Sequence, residues 1–189
     1  MRTRFHTLLV VALLALPCAQ ALADDYDDAI KTFRGAGQSG EFFGKAYGYA
    51  VFPTIGKGGI VLGGAHGTGR VYQNNAHVGD SSMTQITVGL QLGGQAYSQI
   101  IFFQDKRAFD EFTSGNFEFG AQATAVAITA GAQAQAGTGG KGAGASGTPR
   151  SAVTAGGYLK GMAVFTVAKG GLMYEASIGG QKFSYEKKK

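Results

Sequence analysis

His66, His77 and Asp80 are the residues that could be assembled into a metal site, and their spacing argues against one. A zinc-protease helix needs the pattern H-E-x-x-H, and a structural zinc needs four ligands; neither arrangement is present. The segment Gly137-Thr138-Gly139-Gly140-Lys141-Gly142 formally matches G-x-G-x-x-G, but it lies in low-complexity sequence without the flanking strand and helix of a dinucleotide site. Lys57 and Lys141 sit beside glycines without completing a phosphate-binding P-loop. No G-x-S-x-G elbow occurs, and the single cysteine, Cys18, falls in the N-terminal leader. Asp110-Glu111 reads as the solvated face of a short helix, and the acidic run at residues 24–28 as a helix start. The expectation is a protein that is not an enzyme and needs no cofactor or metal.

What remains is attachment chemistry. Lys31 and Arg34 lie about one helical turn apart, and Phe42, Phe43 and Lys45 follow in a second short helical stretch. With Lys57 they form a basic, aromatic-edged set. Surface attachment to lipid needs that combination, because it draws on apolar burial together with charge attraction. Each basic group near an anionic surface contributes about 1 kcal/mol, screened within a Debye length. Burial in a core is the common fate of phenylalanine, so Phe42 and Phe43 suit a packing role equally well.

These residues need a scaffold, and composition bounds it. The chain has 189 residues, 44% hydrophobic and 15% charged, with 32 Gly, 3 Pro and no Trp. That is enough for one packed domain and too short for two of ordinary size. The 13 Phe and the low charge argue against disorder, and the lack of a Gly-X-Y period excludes collagen. Residues 1–23 read as a secretory signal: Arg2 and Arg4, an apolar run over residues 8–16, and Ala21-Leu22-Ala23 before Asp24. The apolar run is well short of the roughly 20 residues of a spanning helix. Acylation at Cys18 is the lesser alternative, since Pro17 restricts the backbone just before it. Removing Arg2 and Arg4 from the 17 basic residues leaves 15 against 12 acidic ones, a net +3 spread along the chain. Export and so dispersed a charge speak against nucleic acid. The expected location is periplasmic or secreted.

Residues 24–34 predict a helix stopped by Gly35, and residues 39–46 a second helical stretch. Tyr49-Ala50-Val51-Phe52 predicts a strand ending at Pro53, with a strand resuming over residues 59–62. From Thr84 the pattern alternates, with Ile86, Val88, Leu90 and Leu92 opposed to Gln85, Thr87 and Gln91. Gly93-Gly94 then reads as a hairpin turn before a strand over residues 95–103. Asp105 is a good N-cap for a helix ending near Gly115. Residues 117–129 alternate as a strand, 130–149 read as a flexible Gly/Ala-rich loop, and 158–185 return to strands. Gly58-Gly59, Gly63-Gly64 and Gly179-Gly180 are expected at turns or bulges, so that valine at Gly64 or Gly179 would destabilise. Ala50-Val51-Phe52 with Lys57-Gly58-Gly59-Ile60 is echoed by Ala163-Val164-Phe165 with Lys169-Gly170-Gly171-Leu172, which points to two related β units. The fold class expected is α+β, predominantly antiparallel β.

The blocks Gly48-Tyr49-Ala50-Val51-Phe52-Pro53 and Lys57-Gly58-Gly59-Ile60-Val61-Leu62-Gly63-Gly64 resemble the opening signature of the SYLF lipid-binding family. Phe102-Phe103-Gln104-Asp105, Gly157-Tyr158-Leu159-Lys160-Gly161 and Gly179-Gly180-Gln181-Lys182-Phe183-Ser184-Tyr185 resemble its later blocks. The resemblance covers residues 29–185. It implies one SYLF-type domain over residues 24–189 and lipid binding, with phosphoinositide or actin binding in eukaryotic relatives. Export would remove the chain from actin, so anionic phospholipid or a membrane surface is the expected partner. Two other classes compete with it. One is a structural protein of the cell envelope whose β surface binds another protein. The other is an outer-membrane barrel, opposed by the acidic helix at the start and the Lys-rich tail at the end.

Overall fold

Acidic residues at its start and Arg34 in its last turn favour the first helix, α1 (Ala21–Gly35). In the computed structural model, backbone is described for residues 21–120 and 157–189, and side chains for 25–88, 92–120, 157–169 and 180–189. A single turn of helix, α2 (Ser39–Phe42), follows. The hydroxyl of the buried Ser39 lies 2.6 Å from the Phe33 carbonyl oxygen and 2.8 Å from that of Ala36. It thereby serves carbonyls that the end of α1 leaves without helical partners.

Three strands come next: β1 (Gly48–Gly59), β2 (Leu62–Gln73) and β3 (Ala76–Phe103). β2 turns into β3 through Asn74 and Asn75, both at positive φ (51° and 62°), the conformation that a two-residue hairpin demands. After α3 (Lys106–Phe112) and the short β4 (Phe117–Phe119), β5 (Met162–Lys187) closes the sheet. Among the described residues all pairings are antiparallel.

The topology turns on β3. Its first half pairs with β2, from Ala76↔Gln73 to Val88↔Leu62, and its second half with β1, from Gly93↔Gly59 to Phe103↔Gly48. Its other edge pairs with β5 from Gly79↔Lys187 to Phe103↔Met162. One strand thus borders both arms of the β1–β2 hairpin, so the sheet must curl around the hairpin tip. Curling gives it an inner and an outer face. Phe52, Ile55, Met83, Ile101, Phe103 and Phe183 meet inside, and Phe109 and Phe112 of α3 complete that core. On the outer face, Tyr49, Val51, Ile100, Phe102 and Phe165 are covered by Phe33, Phe42 and Phe43 of the helical layer. Burying each such side chain contributes about 1.5–3 kcal/mol, so the two clusters account for the arrangement.

The fold class is the expected α+β with antiparallel strands, but several local readings change. β1 does not end at Pro53; it runs on to Gly59, and its register with β2 shifts between Val51 and Ile55. A bulge there places the proline, which has no N–H to give, where no ladder bond is required. Of residues 59–62, expected as one strand, Gly59 ends β1, Leu62 begins β2, and Ile60 and Val61 form the turn between them. Gly93-Gly94, expected as a hairpin turn, lies inside the continuous β3, with Gly93 at φ 121°. The flanking residues pair with β1 and β5 instead of with each other, and glycine allows the bend that this requires. Residues 158–185 hold one long strand and not several. Gly63, Gly64, Gly179 and Gly180 sit in regular ladder pairs, and a Cβ on Gly64 would come no closer than 3.5 Å to its neighbours. Residues 1–20 of the expected leader at 1–23, the remainder of the strand beyond residue 120 and the loop at 130–149 lie outside the described residues, while Ala21, Leu22 and Ala23 fall in α1.

Asp105 caps α3 as expected, its carboxylate accepting from the Ala108 N–H at 2.9 Å. Asp105→Ala is expected to cost about 1 kcal/mol, read as a lowered urea midpoint at unchanged slope.

Candidate functional site

Five of the six candidate attachment residues gather in the helical layer. Lys31 pairs with Asp28 at 3.1 Å and Lys45 with Glu41 at 3.4 Å, all four side chains more than half exposed. The Arg34 guanidinium lies 4.3 Å above the centroid of the Phe43 ring. Phe43 in turn meets Phe102 and Tyr49, at centroid distances of 4.9 and 5.2 Å. Phe42 meets Phe102, Tyr158 and Phe165 at 5.0–5.5 Å. Beside them Tyr49 stacks on Tyr72 at 5.0 Å, and burial pushes its phenol above the ordinary tyrosine value, with Tyr72 adding to the shift. Lys57 is not brought to this group. It is 6% exposed on β1, two residues beyond the core residue Ile55 and therefore on the inner face.

Near the hairpin tip the usual orientation of the sheet is reversed. Gln85 is 2% exposed and Thr87 1%, whereas Ile86 is 70% exposed and Val88 59%. The buried amides are satisfied among themselves. Gln99 and Gln181 exchange two hydrogen bonds of 3.1 and 3.2 Å, and the Gln181 amide also donates to Gln85 at 3.4 Å. Partnered in this way, the polar interior avoids the cost of orphaned groups. Outside, Leu62 pairs directly with Val88, and Ile86 lies between Gly64 on β2 and Gly180 on β5. Glycine neighbours leave the isoleucine uncovered on both sides. Ile60 and Val61 at the turn and Leu92 on β3 are also exposed, which makes one aliphatic tip.

No cluster of three or more His, Cys, Asp or Glu suited to a metal exists among the described residues. His77 lies 3.0 Å from Asp80 and 3.1 Å from the Gly79 carbonyl oxygen, while His66 faces Thr84 at 3.4 Å. A recess of about 280 Å³ lies between the start of α1 and β1–β2, lined by Asp25, Tyr26, Pro53, Thr54, Thr68 and Arg70. It is smaller than the usual small-molecule site of about 300–1,000 Å³. Arg70 is held over the Tyr26 ring there, 4.1 Å from its centroid. The geometry therefore offers surfaces for attachment. The sequence pattern places residues 59–62 in one strand, of which Ile60 and Val61 are in fact the turn. The signal for a turn was present in the glycine pairs on either side, Gly58-Gly59 and Gly63-Gly64, which bracket three large aliphatics.

Comparison with known proteins agrees with this picture of a binding module. The family model described as Ysc84, Las17-binding protein actin regulator, matches residues 84–189, more than half of the chain. Beta cell expansion factor A of Aeromonas veronii is 30% identical over 147 residues, which is 77% of this chain and 48% of that protein. The chain thus spans about half the length of this curated relative. No solved structure matches. The matched stretch begins within β3 and takes in the later signature blocks around Phe102, Tyr158 and Gly179. The family is one of binding modules, with roles in lipid binding or related to actin regulation, and not a family of enzymes. The chain belongs to the Ysc84 or SYLF family.

Proposed function

We propose that this chain is a non-enzymatic lipid-binding module that docks on anionic phospholipid membranes outside the cytoplasm. The exposed aliphatic cluster at the hairpin tip carries the reading, because large contiguous apolar surface on a folded domain marks an interaction site. Membership of the family supports the lipid class, and the leader-like residues 1–23 support export to the periplasm or beyond. Charge supports an anionic surface. Without Arg2 and Arg4 the chain carries 15 basic against 12 acidic residues, a net +3.

Vesicle flotation tests the proposal. The protein is expected to float with phosphatidylglycerol or cardiolipin vesicles and not with phosphatidylcholine alone, and to bind less as salt shortens the Debye length. Equal or absent binding would remove the lipid reading. Cross-linking in cells that recovered one stoichiometric envelope protein and no lipid would assign the same surface to a protein partner.

A further inference from the structure

Resting on the docking reading, we propose that the β1–β2 turn and the neighbouring outer face of β3 form the membrane-inserting element, which enters the acyl region while the helical layer stays in water. The residues are Ile60, Val61, Leu62, Ile86, Val88 and Leu92, all more than half exposed. The alternation along β3 is inverted with respect to a water-facing strand: Gln85 and Thr87 are buried, and Ile86 and Val88 between them are exposed. A strand facing hydrocarbon is apolar on its outside and polar within, which is this pattern. A tip with aliphatic side chains at its apex and on its flank is solvated on every side by lipid. A protein partner would have to supply a socket of matching shape.

Depth agrees with that occupant. Strands rise about 3.3 Å per residue, so Thr84 stands about 13 Å behind Val88 along β3. Lys182 of β5 and His66 of β2 are the partners of Thr84 in the ladder, on either side of it. With Val88 and Leu62 among the acyl chains, the lysine stands at the level of the headgroups, within the half-thickness of about 15 Å of a bilayer core. Residues 54–79 and 81–104 hold no Asp or Glu, and in the neighbouring strands Glu175 pairs with Gln91 and Glu118 with Lys182 itself. Interfacial elements embed about 5–10 Å, which takes in Val88 and Leu62 and leaves Lys182, about 13 Å behind Val88, outside the acyl chains. The helical layer carries its phenylalanines on Phe102 and its lysines on Asp28 and Glu41, and so offers the bilayer less.

The chain contains no tryptophan, so a single one reports its own position. Val61→Trp at the tip and Lys45→Trp on the helical layer would be mixed with phosphatidylglycerol vesicles, with and without brominated acyl chains, alongside flotation and a thermal melt. The expected result is a blue shift and bromine quenching for Val61→Trp with neither for Lys45→Trp. In the otherwise unchanged chain, Leu62→Asp with Val88→Asp is expected to weaken vesicle binding at least tenfold. Since the two carboxylates face each other across the ladder, Leu62→Thr with Val88→Thr serves beside it and is expected to weaken binding at an unchanged melting temperature. Flotation with a shift at Lys45→Trp alone, or at neither position, would overturn the tip while leaving docking intact. So would undiminished binding by the double aspartate variant. Failure of the unsubstituted protein to float would overturn docking itself.

Discussion

Gly69→Val is expected to destabilise the domain by about 3 kcal/mol or more, whereas Gly64→Val on the same strand should cost less than about 1 kcal/mol. A Cβ on Gly69 would fall 2.6 Å from two ring carbons of Phe52 and 2.8 Å from the Val51 carbonyl oxygen. Phe52 is fully buried and meets Phe183 at 5.6 Å, so it has nowhere to withdraw. Gly67 is under the same constraint, its Cβ position lying 2.7 Å from Ile55 and 2.8 Å from the Thr54 carbonyl oxygen. These contacts lie opposite the bulge in β1, where a Cβ on β2 would run into Phe52 and Ile55. Gly64 lies past that point on the exposed face and has room. Urea unfolding of both variants at one temperature checks the pair. Equal losses would mean that the glycines serve strand flexibility and not the close approach of β2 to Phe52.

The same contrast explains how much was legible in the sequence. Helix signals are local, so Asp105 with Ala108, and the charges at the two ends of α1, gave those elements close to their observed limits. The antiparallel class followed from alternation and from glycine-punctuated aromatic strands. What was not legible is pairing over long separations. Gly93-Gly94 looks like any hairpin turn until β5, more than 70 residues away, is laid along both of its flanks. Alternation also reports two faces without saying which one meets water. Ile86 and Val88 against Gln85 and Thr87 would place the aliphatics inside by the ordinary rule. Satisfaction of the glutamine amides by Gln99 and Gln181, from distant parts of the chain, is what permits the reverse. Among the candidate residues, Lys31, Arg34, Phe42, Phe43 and Lys45 fell together because they are neighbours in sequence. Lys57 was grouped with them by type alone, and β1 carries it to the inner face. The echo between residues 50–60 and 163–172 has a spatial counterpart: both segments flank the second half of β3, Ala50 and Val164 each pairing with Ile101.

Phe102→Ala is expected to cost about 4 kcal/mol, near the upper part of the range for a buried phenylalanine. Phe102 is fully buried on the outer face of the sheet and holds Phe42 at 5.5 Å, Phe43 at 4.9 Å and Phe165 at 6.0 Å. Truncation removes the aromatic pairs together with the buried area, and it opens a cavity between sheet and helices that neighbouring rings can fill only in part. Because Phe42 and Phe43 tie the helices down, amide exchange in α1 should accelerate more than exchange in β3. Ile86→Ala serves as the counterpart: an aliphatic of similar size, 70% exposed, should change stability by no more than about 0.5 kcal/mol. Denaturant unfolding of the two variants measures the difference directly. A membrane taking up Phe42 and Phe43 would have to withdraw them from Phe102, at a cost comparable to this substitution, before gaining anything from lipid. A large loss in Phe102→Ala therefore makes the helical layer structural and leaves Ile60, Val61, Leu62, Ile86, Val88 and Leu92 as the largest group of exposed aliphatics among the described residues. A loss below about 1 kcal/mol would reverse that assignment, since the two phenylalanines could then leave the sheet at little cost.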